Sequence, residues 1–410
     1  MISKTIITFS SLFILGLTSL GAAPSGLIVS YDSIPERVRR DNPDLSAARL
    51  RVKEALGRLT QSGRLSNPEL EVGFEANDEA REGKVEIGIS QRFPVTNRLY
   101  LEKDISQLEL RAAEAEIREV ERLLVAEARA ALVDVLAFRQ QWKLRQQQEE
   151  VSKRLAEFTL RSAGQGELSP IDAGQAKLEA ARLASEIRQL KANEVASIGK
   201  LKPLLGMRVT DVLNVSGTLP GVVFPAGTVD PRKRADFQVA QLKAQAALRG
   251  VELEKAQRYD DIEAGIVGGL ERSEDAPEGF ENEGVIGFRI KLALPFWDKN
   301  EGNILAAEAR AERKEKETVA LAHNIRHEAD AARKEMNEWG AMVNEVKVNL
   351  LPLAAKQASE AESAYREGLS DLQAVLRARE QQLQLGSTRI EALRNFHHAR
   401  VRYDAAVANP

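Results

Sequence analysis

Apolar positions in this chain follow two different periods, and the change from one to the other divides it into elements. From Arg98 to Ala163 there is neither Gly nor Pro, and apolar residues recur at threes and fours: Ile105, Leu108, Ala112 and Ala115, then Val125, Ala128, Leu132 and Val135. That spacing lines one face of an α-helix, and the stretch is dense in the strongest helix formers, Ala, Leu, Glu, Arg and Gln. At 1.5 Å per residue the helix reaches roughly 100 Å, far beyond the globular average of about 11 residues. A rod of that length requires a coiled coil or a helical wall around it.

Two other regions alternate with period two, the signature of half-buried strands. Leu70, Val72 and Phe74 alternate with Glu69, Glu71, Gly73 and Glu75, and Val85, Ile87 and Ile89 alternate with Lys84, Glu86, Gly88 and Ser90. Further on, Ile262, Ala264 and Ile266 face away from Asp261, Glu263 and Gly265, while Ile286, Phe288, Ile290, Leu292 and Leu294 oppose Gly287, Arg289, Lys291 and Ala293. The pattern predicts one hairpin over 69–93 and a second over 261–294, each with an apolar face and a charged one.

The hairpins belong to a tandem duplication. Asp44-Leu45 corresponds to Asp236-Phe237, Ala55-Leu56 to Ala247-Leu248, and Glu69-Leu70-Glu71-Val72-Gly73 to Asp261-Ile262-Glu263-Ala264-Gly265, all at one offset. After a hairpin of different length the offset grows by nine, and Phe93-Pro94 then matches Leu294-Pro295 and Leu168-Ser169 matches Leu369-Ser370. Each repeat reads as helix, strand, strand, very long helix, turn, helix. The first spans 42–205, with its long helix over 98–163, a tip at 164–170 and a return helix to about 200; the second spans 234–407, with 298–366, 366–371 and a return to about 407. A segment at 24–41 precedes them. Between them, 206–233 carries Pro220, Pro225, Pro231, Gly217, Gly221 and Gly227, a density that breaks helices and fits either a belt or a plain connector. Asn42 is placed to cap a helix whose first turn holds Pro43, and Pro94 and Pro295 mark strand-to-helix joints.

Composition decides where such a molecule can work. Residues 1–23 start with one Lys, continue through a short apolar stretch and end in small residues, as a secretory signal peptide does. No later run is long and charge-free enough for a membrane helix, which takes roughly 20 apolar residues. The chain is therefore either soluble or crosses a membrane as β-strands. The strands have the length of membrane strands and the charged face of a wet lumen; packing on a small soluble core is the competing explanation. Four strands do not close a barrel, since single-chain membrane barrels begin at about 8, so closure needs further copies, and spacing alone leaves two or three open. There is no Cys, which removes disulfides, thiolate chemistry and lipid attachment at a cysteine. A net charge of −3 with mixed signs argues against nucleic acid. No phosphate-cradling Gly loop and no nucleophile with a base is present, so an enzyme is not expected, nor a cofactor.

Together the duplicated halves, the two hairpins, the two uninterrupted long helices and the turns Gly166-Glu167-Leu168-Ser169 and Gly368-Leu369-Ser370 resemble the TolC-type outer-membrane efflux family over nearly the whole mature chain. Asn42-Pro43-Asp44-Leu45, Asn67-Pro68-Glu69-Leu70 and Leu294-Pro295-Phe296-Trp297-Asp298-Lys299-Asn300-Glu301-Gly302-Asn303 are similar to its heavy-metal, CzcC-like branch. The resemblance implies a mainly α protein with a transmembrane β part: a homotrimer whose twelve-stranded β-barrel in the outer membrane continues as a twelve-helix α-barrel through the periplasm. It also implies a passive duct that docks to a periplasmic membrane-fusion adaptor and an inner-membrane pump of the resistance-nodulation-division type. Lipid would meet Leu70, Val72, Phe74, Val85, Ile87, Ile89, Ile262, Ile266, Ile286, Phe288, Ile290 and Leu292.

The tips lie at the end of the rods farthest from the strands. Gly166 and Gly368 permit the reversal, Ser169 or Ser370 can cap the next helix, and Leu168 and Leu369 stand out as apolar residues on polar turns, which points to adaptor docking. Tyr365, Arg366, Asp371 and Asp172 are the gate candidates. Family members carry acidic residues just inside the mouth, where this chain has Ala374 and Arg377. His323 and His327 are one helical turn apart, a spacing that can share a metal ion, but no third ligand accompanies them, and a solvated helix face explains them better. Cargo is open: heavy-metal cations follow from the branch similarity, small organic toxicants suit a wide duct equally, and a soluble periplasmic coiled-coil adaptor would share the rods but not the paired hairpins.

Overall fold

A computed structural model describes residues 27–78, 81–275, 277 and 279–408. The expected signal peptide, 1–23, lies outside the described residues. A short strand β1 (Leu27–Val29) leads into α1 (Ile34–Asp41) and α2 (Pro43–Gln61), then the hairpin strands β2 (Glu69–Ala76) and β3 (Gly83–Phe93). The first rod, α3 (Arg98–Gly164), is a single helix of 67 residues, and α4 (Pro170–Leu204) returns along it. After β4 (Leu213–Val215) the second half repeats the plan with α5 (Ala235–Ala256), β5 (Ile262–Asp275), β6 (Gly279–Lys291), α6 (Glu301–Glu345), α7 (Leu351–Arg366) and α8 (Leu372–Ala406).

The short helices meet end to end beside the rods, and specific residues make each junction. Asn42 Oδ1 accepts from the Leu45 N–H at 2.9 Å, capping α2, while its Nδ2 donates to the Leu204 carbonyl at 2.9 Å and so ties the end of α4 to the start of α2. Gly206 sits at φ +65 with no room for a side chain, since a Cβ there would lie 2.0 Å from the Asp41 carbonyl oxygen. Arg122 of the first rod donates to the Ala405 carbonyl at the end of the second half at 2.9 Å, and within the second half buried Arg234 bridges Asp236 at 2.5 Å and Glu328 at 2.7 Å.

Most of the core lies at this waist. Val29, Ile34 and Val38 pack with Leu132, Val135 and Leu201 and with Leu213, Val215 and Leu219 of the 206–233 segment. A second cluster centres on Met336, Phe396 and Tyr403, against which Val222 and Val229 rest. The Pro-rich segment is thus held over much of its length. Its β4 pairs in parallel with β1, Arg139 donates to the Val215 carbonyl at 2.5 Å, and the Tyr403 hydroxyl donates to the Gly227 carbonyl at 3.1 Å.

The second rod departs from the expected uninterrupted helix over 298–366. It starts at Glu301, because Asn300 adopts a left-handed φ of +57 and its N–H is held by the Asp298 carboxylate at 2.9 Å. It is then broken at Val346–Leu350 by a π-helical turn. The residue responsible is Pro352, in the first turn of α7, which has no N–H to give the carbonyl four residues back. A π turn is one of the ways a long helix absorbs such a loss.

Candidate functional site

The four hairpin strands form one antiparallel sheet in the order β2-β3-β5-β6, so that β3 pairing with β5 joins the two halves. Register fixes its faces. Leu70 pairs with Ile89, Val72 with Ile87 and Phe74 with Val85; Ile89 then pairs with Ile266, which pairs with Phe288. Ile262, Ile286 and Ile290 fall on the same face by alternation. Among the described residues nothing else covers that face: Phe74 is 75 % exposed and Ile286 and Phe288 are each 83 % exposed. Leu292, expected as a strand residue, lies past the end of β6, because the ladder with β5 stops at Glu263 and Lys291 and the chain turns away toward Pro295.

The opposite face is a charge network spanning all four strands. Arg289 on β6 reaches Glu71 on β2 at 3.1 Å and Glu86 on β3 at 3.3 Å. Arg92 bridges Glu69 at 3.2 Å and Glu263 at 3.5 Å, and Lys84 meets Glu86 at 3.2 Å. Each such pair is worth at most about 1 kcal/mol where water reaches it. Their importance is that they require water, whereas the other face requires its absence. Alternation had placed these side chains on the polar face; which cation meets which carboxylate depends on register between the halves, which local pattern does not carry. Both outer edges, on β2 and β6, lack partners among the described residues, an arrangement that soluble proteins avoid or cover.

At the other end of the rods the tips differ from each other. Gly166 and Gly368 take left-handed φ values of +80 and +74, as the sharp reversals require. Ser169 caps α4, its hydroxyl accepting from the Ile171 N–H at 3.2 Å. In the second tip the cap is not Ser370 but Asp371, whose carboxylate accepts from the Ala374 N–H at 2.7 Å and is a stronger acceptor than a hydroxyl. The pair of exposed leucines also needs correction. Leu168 is tucked against the cluster of Ala176, Tyr365, Leu372 and Val375, and only Leu369 stands in solvent, 77 % exposed. Tyr365 is buried in that cluster with no partner for its hydroxyl among the described residues, and burial, with a smaller contribution from Asp172, raises its pKa. Arg366 donates to Glu362 at 2.6 Å, and Glu362 is also engaged by Arg379. Burial raises the Glu362 pKa, but the two guanidiniums outweigh it and hold the carboxyl below its ordinary range. Tyr365, Arg366 and Asp371 are therefore each tied within the protomer, while Asp172 is half-buried beside Tyr365.

The histidines divide into two kinds. His323 and His327 are exposed and stack with centroids 6.1 Å apart, and no group of three or more ligating side chains occurs among the described residues. His397 is buried, with Nε2 2.9 Å from the Pro220 carbonyl, and burial lowers its pKa. His398 contacts Asp134 at 2.7 Å, as does Arg394.

Residues 34–206 match the family model described as outer membrane efflux protein. The cobalt-zinc-cadmium resistance protein CzcC of Cupriavidus metallidurans is 23 % identical over 375 residues, covering 88 % of this chain and 82 % of that protein. Among solved structures, the outer-membrane channel OprN superposes with a TM-score of 0.77 at 18 % identity, covering 93 % of this chain and 90 % of that one. CusC gives 0.76 at 16 %, covering 95 % of each, and VceC from Vibrio cholerae 0.76 at 19 %, covering 92 % and 95 %. Likeness over this much of each chain establishes the mainly α fold with a small antiparallel sheet.

Proposed function

We propose that this chain is a member of the outer membrane efflux protein family, whose model matches residues 34–206, and that three copies of it assemble into an export duct for heavy-metal cations. The protein is an outer-membrane efflux channel and not an enzyme; most of its length is periplasmic. The observation that carries the reading is the sheet's inverted amphipathicity. An apolar face left bare across four strands is stable only against acyl chains, and its charged reverse only against water. Edges that lipid does not tolerate must pair with the edges of other copies. Three copies give twelve strands, the number the family resemblance implies, and cyclic symmetry closes them.

The helices then continue the duct into the periplasm and present Leu369 and the Gly166 and Gly368 turns at its far end. There they meet a periplasmic adaptor, itself coupled to an inner-membrane pump of the resistance-nodulation-division type that supplies the energy. Metal cargo is supported by likeness to a protein named for cobalt, zinc and cadmium resistance. The duct itself needs no metal-binding site, because tight binding would slow release. Deleting the gene and measuring growth tests the cargo: sensitisation to cobalt, zinc or cadmium is the expected outcome. Sensitivity confined to small organic toxicants assigns the duct to that cargo instead, and no sensitivity to either contradicts an export role.

A further inference from the structure

At the waist, α1, the middle of α3, the start of α5 and the end of α8 enclose a cleft of about 330 Å³ that neither conduction nor docking uses. Its volume falls at the small end of the range of ligand pockets, roughly 300–1,000 Å³. The floor is apolar, formed by Val125, Val401 and Ala405, while Arg39, Arg118, Arg122, Arg129 and Lys233 surround it. Glu121 is the carboxylate among the lining residues, and Arg39 already holds it at 2.7 Å. Arg122 is engaged by Glu119 at 2.5 Å. The lining thus carries a surplus of positive charge.

Arg129 distinguishes this cleft from a solvated basic patch. It is only 7 % exposed, its Nε has no hydrogen-bond partner among the described residues, and its guanidinium lies over the Tyr31 ring at 4.8 Å. Stacking fixes the plane of the group without satisfying its donors. A buried guanidinium donor without an acceptor is costly, and an anion in the cleft supplies what is missing.

We propose that this cleft binds an amphiphilic anion: a single carboxylate or phosphate head on a short hydrocarbon body, the head meeting Arg129 and the rim cations and the body lying on Val125, Val401 and Ala405. Bound there, it links α1, α3, α5 and α8 across the junction of the two halves. The assignment does not depend on the channel reading.

Isothermal titration of the full-length protein in a non-ionic detergent tests it, with octanoate and octyl phosphate as the complete probes. Octylamine keeps the body and reverses the charge; inorganic phosphate keeps the charge without the body. One saturable site per chain is expected for octanoate, octyl phosphate or both, and which of them binds tells a free carboxylic acid from a phospholipid-type head. Arg118→Ala/Lys233→Ala, at exposed rim positions, is expected to weaken binding at least tenfold, and Arg129→Met to abolish it; the rim variant decides the matter if Arg129→Met does not fold. Heats that never saturate, an affinity unchanged in the rim variant, or octylamine or inorganic phosphate binding as tightly as octanoate would each overturn the proposal.

Discussion

The strand sheet and the helical waist use the same side chains in opposite senses. At the waist Leu132, Phe396 and Tyr403 are enclosed, while cations such as Arg39, Arg118 and Lys233 lie outward. In the sheet Phe74, Ile286 and Phe288 lie outward and the arginines meet carboxylates across the strands on the other face. Both obey one rule, that apolar area leaves water; what differs is the medium on the far side. Two regions that contradict each other in a single solvent are consistent once the apolar face of the sheet meets lipid, as the proposed channel requires.

The comparison can be broken at either end, and the effects should scale with how completely each group is withdrawn from water. Phe396→Ala at the waist opens a cavity beneath Phe224, which meets Phe396 edge to face at 5.4 Å. It should cost about 3–5 kcal/mol, read as a lowered unfolding midpoint in guanidinium. In the sheet Phe288→Ala should cost far less in water, but Phe288→Arg should cost about 2–4 kcal/mol near the bilayer midplane, seen as reduced recovery of folded protein in lipid vesicles. Equal sensitivity to Arg in vesicles and in water would remove the lipid argument. Asn42→Ala loses both the α2 cap and the Leu204 link and should cost about 1–2 kcal/mol, measurable by the same denaturation.

A smaller effect depends on pH. His397 is buried with its pKa depressed, chiefly by desolvation. The unfolded chain therefore takes up a proton below about pH 6.5 that the folded chain refuses. Stability contributed above that pH is lost as pH falls toward the depressed folded value. Urea midpoints for the parent should decline between pH 7 and 5 more steeply than for His397→Gln; parallel slopes would contradict the assignment. The Asp134 carboxylate does not interfere in that window. Burial opposes its ionisation, but His398 and Arg394 outweigh burial and hold its pKa below the ordinary value, so its contribution is lost only in stronger acid.

How much of this was legible in the sequence follows from the range of each interaction. Alternation along 69–76 and 83–93 assigns faces because it is local, and duplication is visible because the halves share an offset. The tips were half legible. Matched Leu168 and Leu369 look equivalent in sequence, yet one packs beside Tyr365 and the other does not, a difference set by the neighbouring helix. Asp371 displaced Ser370 as the cap because the helix starts one residue later than the repeat suggests. The π turn before Pro352 breaks a helix expected to be uninterrupted, although a proline inside a helical pattern is its local signal, whereas the Arg289 bridges and the Arg129 cleft join residues far apart in the chain and left no local trace.

In the proposed channel one face of the sheet meets lipid and the other water. Because the chain has no native cysteine, single nitroxide labels can be placed at each position from 286 to 291 and their collision rates with oxygen and with a water-soluble nickel chelate measured in vesicles. Oxygen access should peak at 286, 288 and 290 and nickel access at 287, 289 and 291. A flat profile, or one with the two sets exchanged, would contradict the account.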